Sequence, residues 1–455
     1  MMRLTEAAQA IGAGISGTDV TFSSVSTDTR TLQHGALFVA LRGARFDGHD
    51  FVRQALENGA SAALVDSQFQ PQAAGIADDA GLLIVADTRL GLGQLAAAWR
   101  KRFDIPLIAV TGSNGKTTVK EMLAAILATA AGDAQAVLAT QGNLNNDIGM
   151  PLMLLRLRAR HRFAVIEMGM NHLGEIDYLT HLATPTVALV NNAQTAHVGE
   201  LGSVENIARA KGEIFAGLRP GGIAVINADD AFAPLWRELN AGRAVIDFGL
   251  EHSAQVTGRY ELLPASARLE IQLPQQTVQT HLQVPGLHNV RNALAASAAA
   301  LAVHIEPQVI AQGLAAFKGV KGRLQSKVVL HGATLIDDSY NANPGSVRAA
   351  IEVLAQAPGE KILVLGDMGE LGAEGAQLHA EIGRYAQEKG IDALFCLGDL
   401  SRHAAQAFGA GAQHFERIQE LLADLENRLS PTTTVLVKGS RFMEMERVVR
   451  SFEIA

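Results

Sequence analysis

Cysteine is almost missing from this chain, with Cys396 standing alone among 455 residues. That excludes an intramolecular disulfide framework and any multi-cysteine metal site, and it points to a reducing compartment. Long apolar runs are missing too. None reaches the ~18–20 residues of a membrane span, and the opening MMRLTEAAQAIGAG has no signal-peptide core, so a cytoplasmic location is expected. Positive charge is in short supply: 38 basic against 46 acidic residues give a net charge of −8, which denies a nucleic-acid partner electrostatic support. Repeats and low-complexity tracts are absent as well. What remains, 48% hydrophobic and 18% charged residues, is ordinary for a globular protein, and the length suits about three domains.

The most informative segment is Ile105–Lys116, IPLIAVTGSNGK, an apolar strand that runs into a glycine turn and then an Ala/Leu-rich helix. Such a loop turns its backbone N–H groups onto phosphate oxygens, while a lysine adds a point charge and a hydroxyl reaches Mg²⁺. Gly112, Ser113, Asn114, Gly115, Lys116, Thr117 and Thr118 are therefore the candidate ATP-binding loop. The common pattern wants glycine where this chain has Val110, so Gly112 takes over that turn.

Strand and helix patterns alternate along the whole chain, which predicts an α/β protein of three domains. A small α/β domain is expected over residues 1–104. A central doubly wound P-loop domain follows at 105–317, with strands at Leu107–Val110, Phe163–Glu167, Val187–Asn191 and Ile223–Asn227 and a β-hairpin in the period-two stretch near 255–284. The basic, glycine-containing KGVKGR at 318–323 reads as a hinge into a Rossmann-like α/β domain, 318–455. Two glycine patterns are decoys. Gly12, Gly14 and Gly17 follow a helix-like run rather than a strand, and Gly91, Gly93 and Ala96 mark a helix start in a region with no other nucleotide feature.

Three residues in the central domain are chemically expensive. Glu167 ends the strand FAVIE at the carboxyl edge of the sheet, where it is either a Mg²⁺ ligand or a solvated strand-end carboxylate. His197 follows VALVNN on the same edge and is either functional or structural. Lys211 falls on the apolar stripe of the helix SVENIARAKGEIFAGL. It either snorkels to water or is pushed to a neutral amine, which can add CO₂ as a carbamate.

The segments TGSNGKTT (111–118), GNLNNDIGMP (142–151), EMGM (167–170), NNAQTAHVGELGS (191–203), ARAKGEI (208–214), PGLHNVRNALAA (285–296), GR (322–323), DDSYNANPGSV (337–347), GDMGELG (366–372) and VKGSR (437–441) together resemble the Mur ligase family nearly end to end. STDTRTLQHGALFVALRGARFDGHDF (26–51) is similar to that family's UDP-sugar segment. DDSYNANP resembles the member that adds D-alanyl-D-alanine. A DNPR-like segment, expected of the member that adds the third amino acid, does not occur.

The resemblance implies an ATP-dependent amide ligase acting through an acyl phosphate. Its substrates would be UDP-N-acetylmuramoyl-tripeptide and D-Ala-D-Ala, its cofactors ATP and Mg²⁺, and its state monomeric. Lys116 would steady the phosphates. Thr117 and Glu167 would hold one Mg²⁺, and His197 with carbamylated Lys211 a second. Asn289 and Asn292 would lie near the base, and Arg323 and Asp338 would reach the nucleotide from the hinge and third domain. Thr27, Asp28, Thr29 and Arg30 would face the UDP-sugar. Tyr340, Asn341, Asn343, Lys438 and Arg441 would lie near the dipeptide or acyl phosphate. Closure about the hinge would exclude water from that intermediate. Two rivals are a folylpolyglutamate- or cyanophycin-type ligase, which shares the loop, Glu167 and Lys211, and a non-catalytic nucleotide switch.

Overall fold

The computed structural model describes residues 1–194 and 198–454. Three sheets order the chain. The first runs Gly14–Ser16, Gly81–Val85, Ala62–Asp66, Ala36–Val39, Ser24–Ser26, parallel except at its first pair. The second is the wholly parallel series Ala244–Phe248, Ile223–Asn227, Val187–Val190, Leu107–Thr111, Phe163–Glu167, Val137–Ala139. The third runs Gln325–Val328, Thr334–Asp338, Thr433–Lys438, Glu360–Gly366, Ala393–Leu397, Ala412–Phe415, with only its first pair antiparallel. A three-domain α/β architecture results.

The central strands are continuous apolar runs, LIAVT and VALV, because helices cover both faces of a parallel sheet and leave no side of the strand wet. The strand order reverses around Leu107–Thr111, and ligands bind at such a switch point, beyond the carboxyl ends of the strands.

Two expectations need correction. The stretch near 255–284 is not a hairpin but three antiparallel strands, Thr257–Leu263, Ser266–Gln272 and Thr277–Leu282. Pro264 and Pro274 each interrupt the ladder, so there are two turns where one was expected. The helix carrying Lys211 also stops early. It spans Val204–Gly212 and tightens into a 3₁₀ turn at Glu213–Phe215, where the Glu213 carboxylate accepts from the Gly174 and Asp177 N–H groups at 2.8 and 3.1 Å.

Core distribution decides where the cleft lies. One apolar cluster passes without a break from Leu4 and Leu64 in the first domain, through Leu92 and Trp99, to Leu179 and Trp236 in the second. Trp99 also donates from Nε1 to the Leu157 carbonyl at 3.1 Å, and Arg100 from Nε to that of Ala183, again at 3.1 Å. The third domain keeps its own clusters on either side of its sheet. It therefore meets the rest across polar groups. The decoy glycines are structural: Gly12 caps the helix Leu4–Ile11, and Gly91 and Gly93 lie inside the helix Thr88–Arg100, capped by Asp87. Among the described residues no helix is long and apolar enough to cross a membrane.

Candidate active site

A cleft of about 1210 Å³ opens between the central and third domains, larger than the ~300–1,000 Å³ of a site for one small ligand. Ser113–Thr118 line its floor. Gly112 lies behind them, where a Cβ would stand 2.9 Å from that of Asn191. Gly115 holds φ +81°, and a Cβ there would fall 2.3 Å from Asn292 Oδ1 and 2.6 Å from Asn191 Nδ2. Only glycine satisfies both the turn and this contact. The helix Lys116–Ala131 then begins at the loop, with its first N–H groups facing the cleft.

Lys116 folds back on the loop, donating from Nζ to the Gly112 and Ser113 carbonyls at 2.5 and 3.3 Å. Burial holds its ammonium below the usual lysine range, with Glu167 opposing that shift. A phosphate anion would take these donor positions.

Glu167 is 3% exposed, which removes the solvated-carboxylate reading. Its Oε1 accepts from Asn145 Nδ2 at 2.7 Å, while Oε2 is buried with no hydrogen-bond partner among the described residues. An orphaned carboxylate oxygen beside a phosphate loop fits a hard cation. Among the described residues no three His, Cys, Asp or Glu side chains gather, so such a cation would draw its remaining ligands from hydroxyl, phosphate and water.

Lys211 is 2% exposed, so it does not snorkel. Burial, and next the Lys116 charge, pushes it well below the usual lysine range, and no partner for its amine appears among the described residues. His197 lies outside the described residues.

Asn289 and Asn292 sit in the first turns of the helix Leu287–Ala302 and line the cleft, but they are occupied with support. Asn289 Nδ2 donates to the Pro285 carbonyl at 2.8 Å. Asn292 Oδ1 accepts from Asn191 Nδ2 at 3.0 Å, and Asn191 also donates to the Asn114 carbonyl at 2.9 Å. These amides prop the phosphate loop.

The far wall belongs to the third domain. Arg323 reaches across, donating from Nη2 to Thr117 Oγ1 at 3.2 Å with its guanidinium 4.4 Å from the centre of the Tyr340 ring. Asp338 Oδ2 accepts from Lys438 Nζ at 2.5 Å, and that amine also donates to the Asn341 carbonyl at 2.9 Å. Burial raises the Asp338 pKa and lowers that of Lys438, each partner opposing the other's shift. Asn343 caps the helix Pro344–Ala355 and donates from Nδ2 to Asn114 Oδ1 at 2.8 Å, joining third domain to phosphate loop. Arg441, paired with Glu446 at 2.9 Å, stands at the rim.

Thr27, Asp28, Thr29 and Arg30 do not enter this cleft. They follow the strand Ser24–Ser26, where Arg30 pairs with Asp28 at 2.6 Å and holds that carboxyl down at about 2. The nearby FDGHDF segment is largely internal wiring: Asp47 Oδ1 holds His49 Nδ1 at 2.6 Å, and His49 Nε2 accepts the Asp66 N–H at 3.0 Å. Sequence reasoning assigned no role to Asn145, Asn191, Asn192 or Gln194, although all four line the cleft. Their signal was a cluster of asparagines just beyond strand ends, in GNLNND and NNAQ.

Comparison with known proteins agrees along the whole length. Three family models match: Mur ligase family, catalytic domain, over residues 21–100; Mur ligase middle domain over 110–300; and Mur ligase, glutamate ligase domain, over 322–441. The UDP-N-acetylmuramoyl-tripeptide–D-alanyl-D-alanine ligase of Escherichia coli K12 is 42% identical over 454 residues, 99% of this chain and 98% of that protein. A crystal structure of MurF from Acinetobacter baumannii superposes with a TM-score of 0.91 at 39% identity, covering 99% of both chains. MurF from Thermotoga maritima, solved with ADP, gives 0.82 at 27% identity over 94% of this chain and 96% of that one.

Proposed function

The chain belongs to the Mur ligase family, and from that premise we infer that it adds D-alanyl-D-alanine to UDP-N-acetylmuramoyl-tripeptide, at the expense of ATP, to give the pentapeptide precursor of peptidoglycan. One observation carries the chemistry: a phosphate loop, an orphaned carboxylate oxygen at Glu167 and a buried amine at Lys211 line one cleft. The choice of member rests on near-full-length likeness to D-alanyl-D-alanine ligases. A ligase of the same fold for folates or cyanophycin is not favoured, nor is a switch, which has no use for Lys211.

In the first step an oxygen of the tripeptide carboxylate bonds to the γ-phosphorus while the bond to the bridging oxygen of ADP breaks. The dipeptide amine then attacks the acyl carbon, phosphate leaves with the C–O electron pair, and the amine gives up a proton. Lys116 and the loop N–H groups hold the phosphates, and Arg323, arriving from the third domain, adds charge where it develops. Glu167 and Thr117 would hold Mg²⁺, which neutralises phosphate charge so that two anions can meet. Lys211, whose charged form burial disfavours, would add CO₂ and release a proton, and the carbamate with His197 would hold a second ion. Asn289, Asn292 and Asp338 serve the nucleotide side. Tyr340, Asn341, Asn343, Lys438 and Arg441 serve the dipeptide side, and Thr27–Arg30 the UDP-sugar. We take the protein to work as a monomer in the cytoplasm.

Closure of the third domain would keep water from the acyl phosphate, a reading supported by the Asn343–Asn114 and Arg323–Thr117 contacts. Small-angle scattering with and without an ATP analogue and tripeptide tests it: unchanged dimensions count against closure.

The deciding experiment is phosphate release from ATP with UDP-N-acetylmuramoyl-tripeptide, with and without D-Ala-D-Ala, following the nucleotide-sugar by mass. Release that needs both substrates, with one dipeptide gained, is the expected result. Release that needs neither overturns the assignment, and activity only with another amine changes the member.

A further inference from the structure

Lysine is rarely fully buried, yet Lys120 is 1% exposed. It sits one helical turn beyond Lys116 on the helix Lys116–Ala131, too deep to reach a ligand. Packing does not explain it, because an apolar side chain of similar length would fill the space without the cost of a buried charge. Its hydrogen bonds do. The ammonium contacts Glu121 Oε1 and donates to the Thr140 carbonyl at 2.7 Å.

Thr140 is itself 1% exposed and lies just past the edge strand Val137–Ala139. Its N–H donates to the Val165 carbonyl at 3.0 Å, which extends the strand pairing by one residue. Its hydroxyl, Oγ1, then accepts the N–H of Glu167 at 2.9 Å. The backbone of Glu167 is thus clamped at the residue whose Oε1 is held by Asn145 and whose Oε2 stands unpaired in the cleft. A chain of hydrogen bonds runs from the buried ammonium to the base of that carboxylate.

We propose that Lys120, acting through Thr140, is a positioning residue that aims the Glu167 carboxylate at the cation bound with the nucleotide. The inference rests on the reading of Glu167 as a Mg²⁺ ligand. Outer partners that orient a metal ligand typically change metal affinity by ~10–100-fold when removed, and a partner one residue further out belongs at the lower end.

The test titrates Mg²⁺ into the full-length protein with a fluorescent ADP analogue, for the wild type, Lys120→Met and Thr140→Val. Both variants are expected to need about 10-fold more Mg²⁺ for half-maximal enhancement of binding, with metal-free affinity for the analogue unchanged. A purely structural role would lower the melting temperature and leave the Mg²⁺ midpoint alone, and that result overturns the proposal. Should Lys120→Met not fold, Lys120→Gln, which removes the charge and shortens the chain, takes its place with the same expected shift, while Thr140→Val tests the last link to Glu167, removing one hydroxyl and keeping the carbonyl that Lys120 holds. If analogue binding by the wild type is indifferent to Mg²⁺, the metal reading of Glu167 fails and the proposal falls with it. A wild-type midpoint retained in the variants overturns the positioning role alone.

Discussion

Replacing Gly115 by alanine asks whether the phosphate loop is held by its asparagine props. The new Cβ would sit 2.3 Å from Asn292 Oδ1 and 2.6 Å from Asn191 Nδ2, and the residue would keep φ near +81°. The left-handed backbone costs a non-glycine residue ~1–2 kcal/mol. Moving Asn292 aside breaks its 3.0 Å bond from Asn191 and leaves buried amide groups unsatisfied, at ~1–3 kcal/mol. About 3 kcal/mol in all is expected, equivalent to roughly 100-fold in an equilibrium constant. If the loop keeps its shape the loss appears in stability, and if the loop relaxes it appears in ADP affinity. Urea unfolding and calorimetric ADP titration together capture both. Asn292→Ala should cost less when combined with Gly115→Ala than alone, since the added methyl and the Asn292 amide compete for one space. The reasoning is refuted if Gly115→Ala stays within about 1 kcal/mol of wild type in both assays.

Lys211→Met should lose ligase activity by ~100-fold or more yet gain stability, because a buried amine is replaced by an apolar chain. Burial depresses the folded pKa, so the unfolded chain binds the extra proton and wild-type stability rises with pH. That slope should flatten in urea melts of the variant. Lys211→Ala should be partly rescued by short carboxylic acids standing in for the carbamate; full activity without them would sink the carbamate reading. Asp338→Asn strands the buried Lys438 ammonium and should cost about 3 kcal/mol, largely recovered in Asp338→Asn/Lys438→Met, as measured by urea unfolding. His288 lies at the cleft with its pKa lowered to about 4, first by burial and then by Lys438 and Arg291. Its stability is complete above pH 6.5 and is lost as pH falls toward 4. Discounted for partial exposure, the loss is about 2 kcal/mol, which His288→Gln should abolish in melts at about pH 7 and pH 4.5.

Parts of this site were legible because their chemistry is local in the chain. The phosphate loop joins a strand, a glycine turn, a lysine and a helix within a dozen residues, and Glu167 is marked by ending an apolar strand. The central strands were readable for the same reason, since a strand covered on both faces is apolar throughout. Edge strands such as Val137–Ala139 and Ala244–Phe248 were not, being too short or too exposed to carry a pattern.

The amino-acid sequence by itself determined that this chain is an α/β protein with a glycine turn and lysine of phosphate-loop pattern between a strand and a helix, and its motifs carried the family. Whether Lys211 snorkels or is sealed, whether Glu167 is wet, and what Asn292 and Lys120 touch were decided only by tertiary structure. The physical reason is distance along the chain. Burial and hydrogen bonding are properties of neighbours, and the neighbours here are tens to hundreds of residues away: Asn191 with Asn292, Thr140 with Glu167, Thr117 with Arg323.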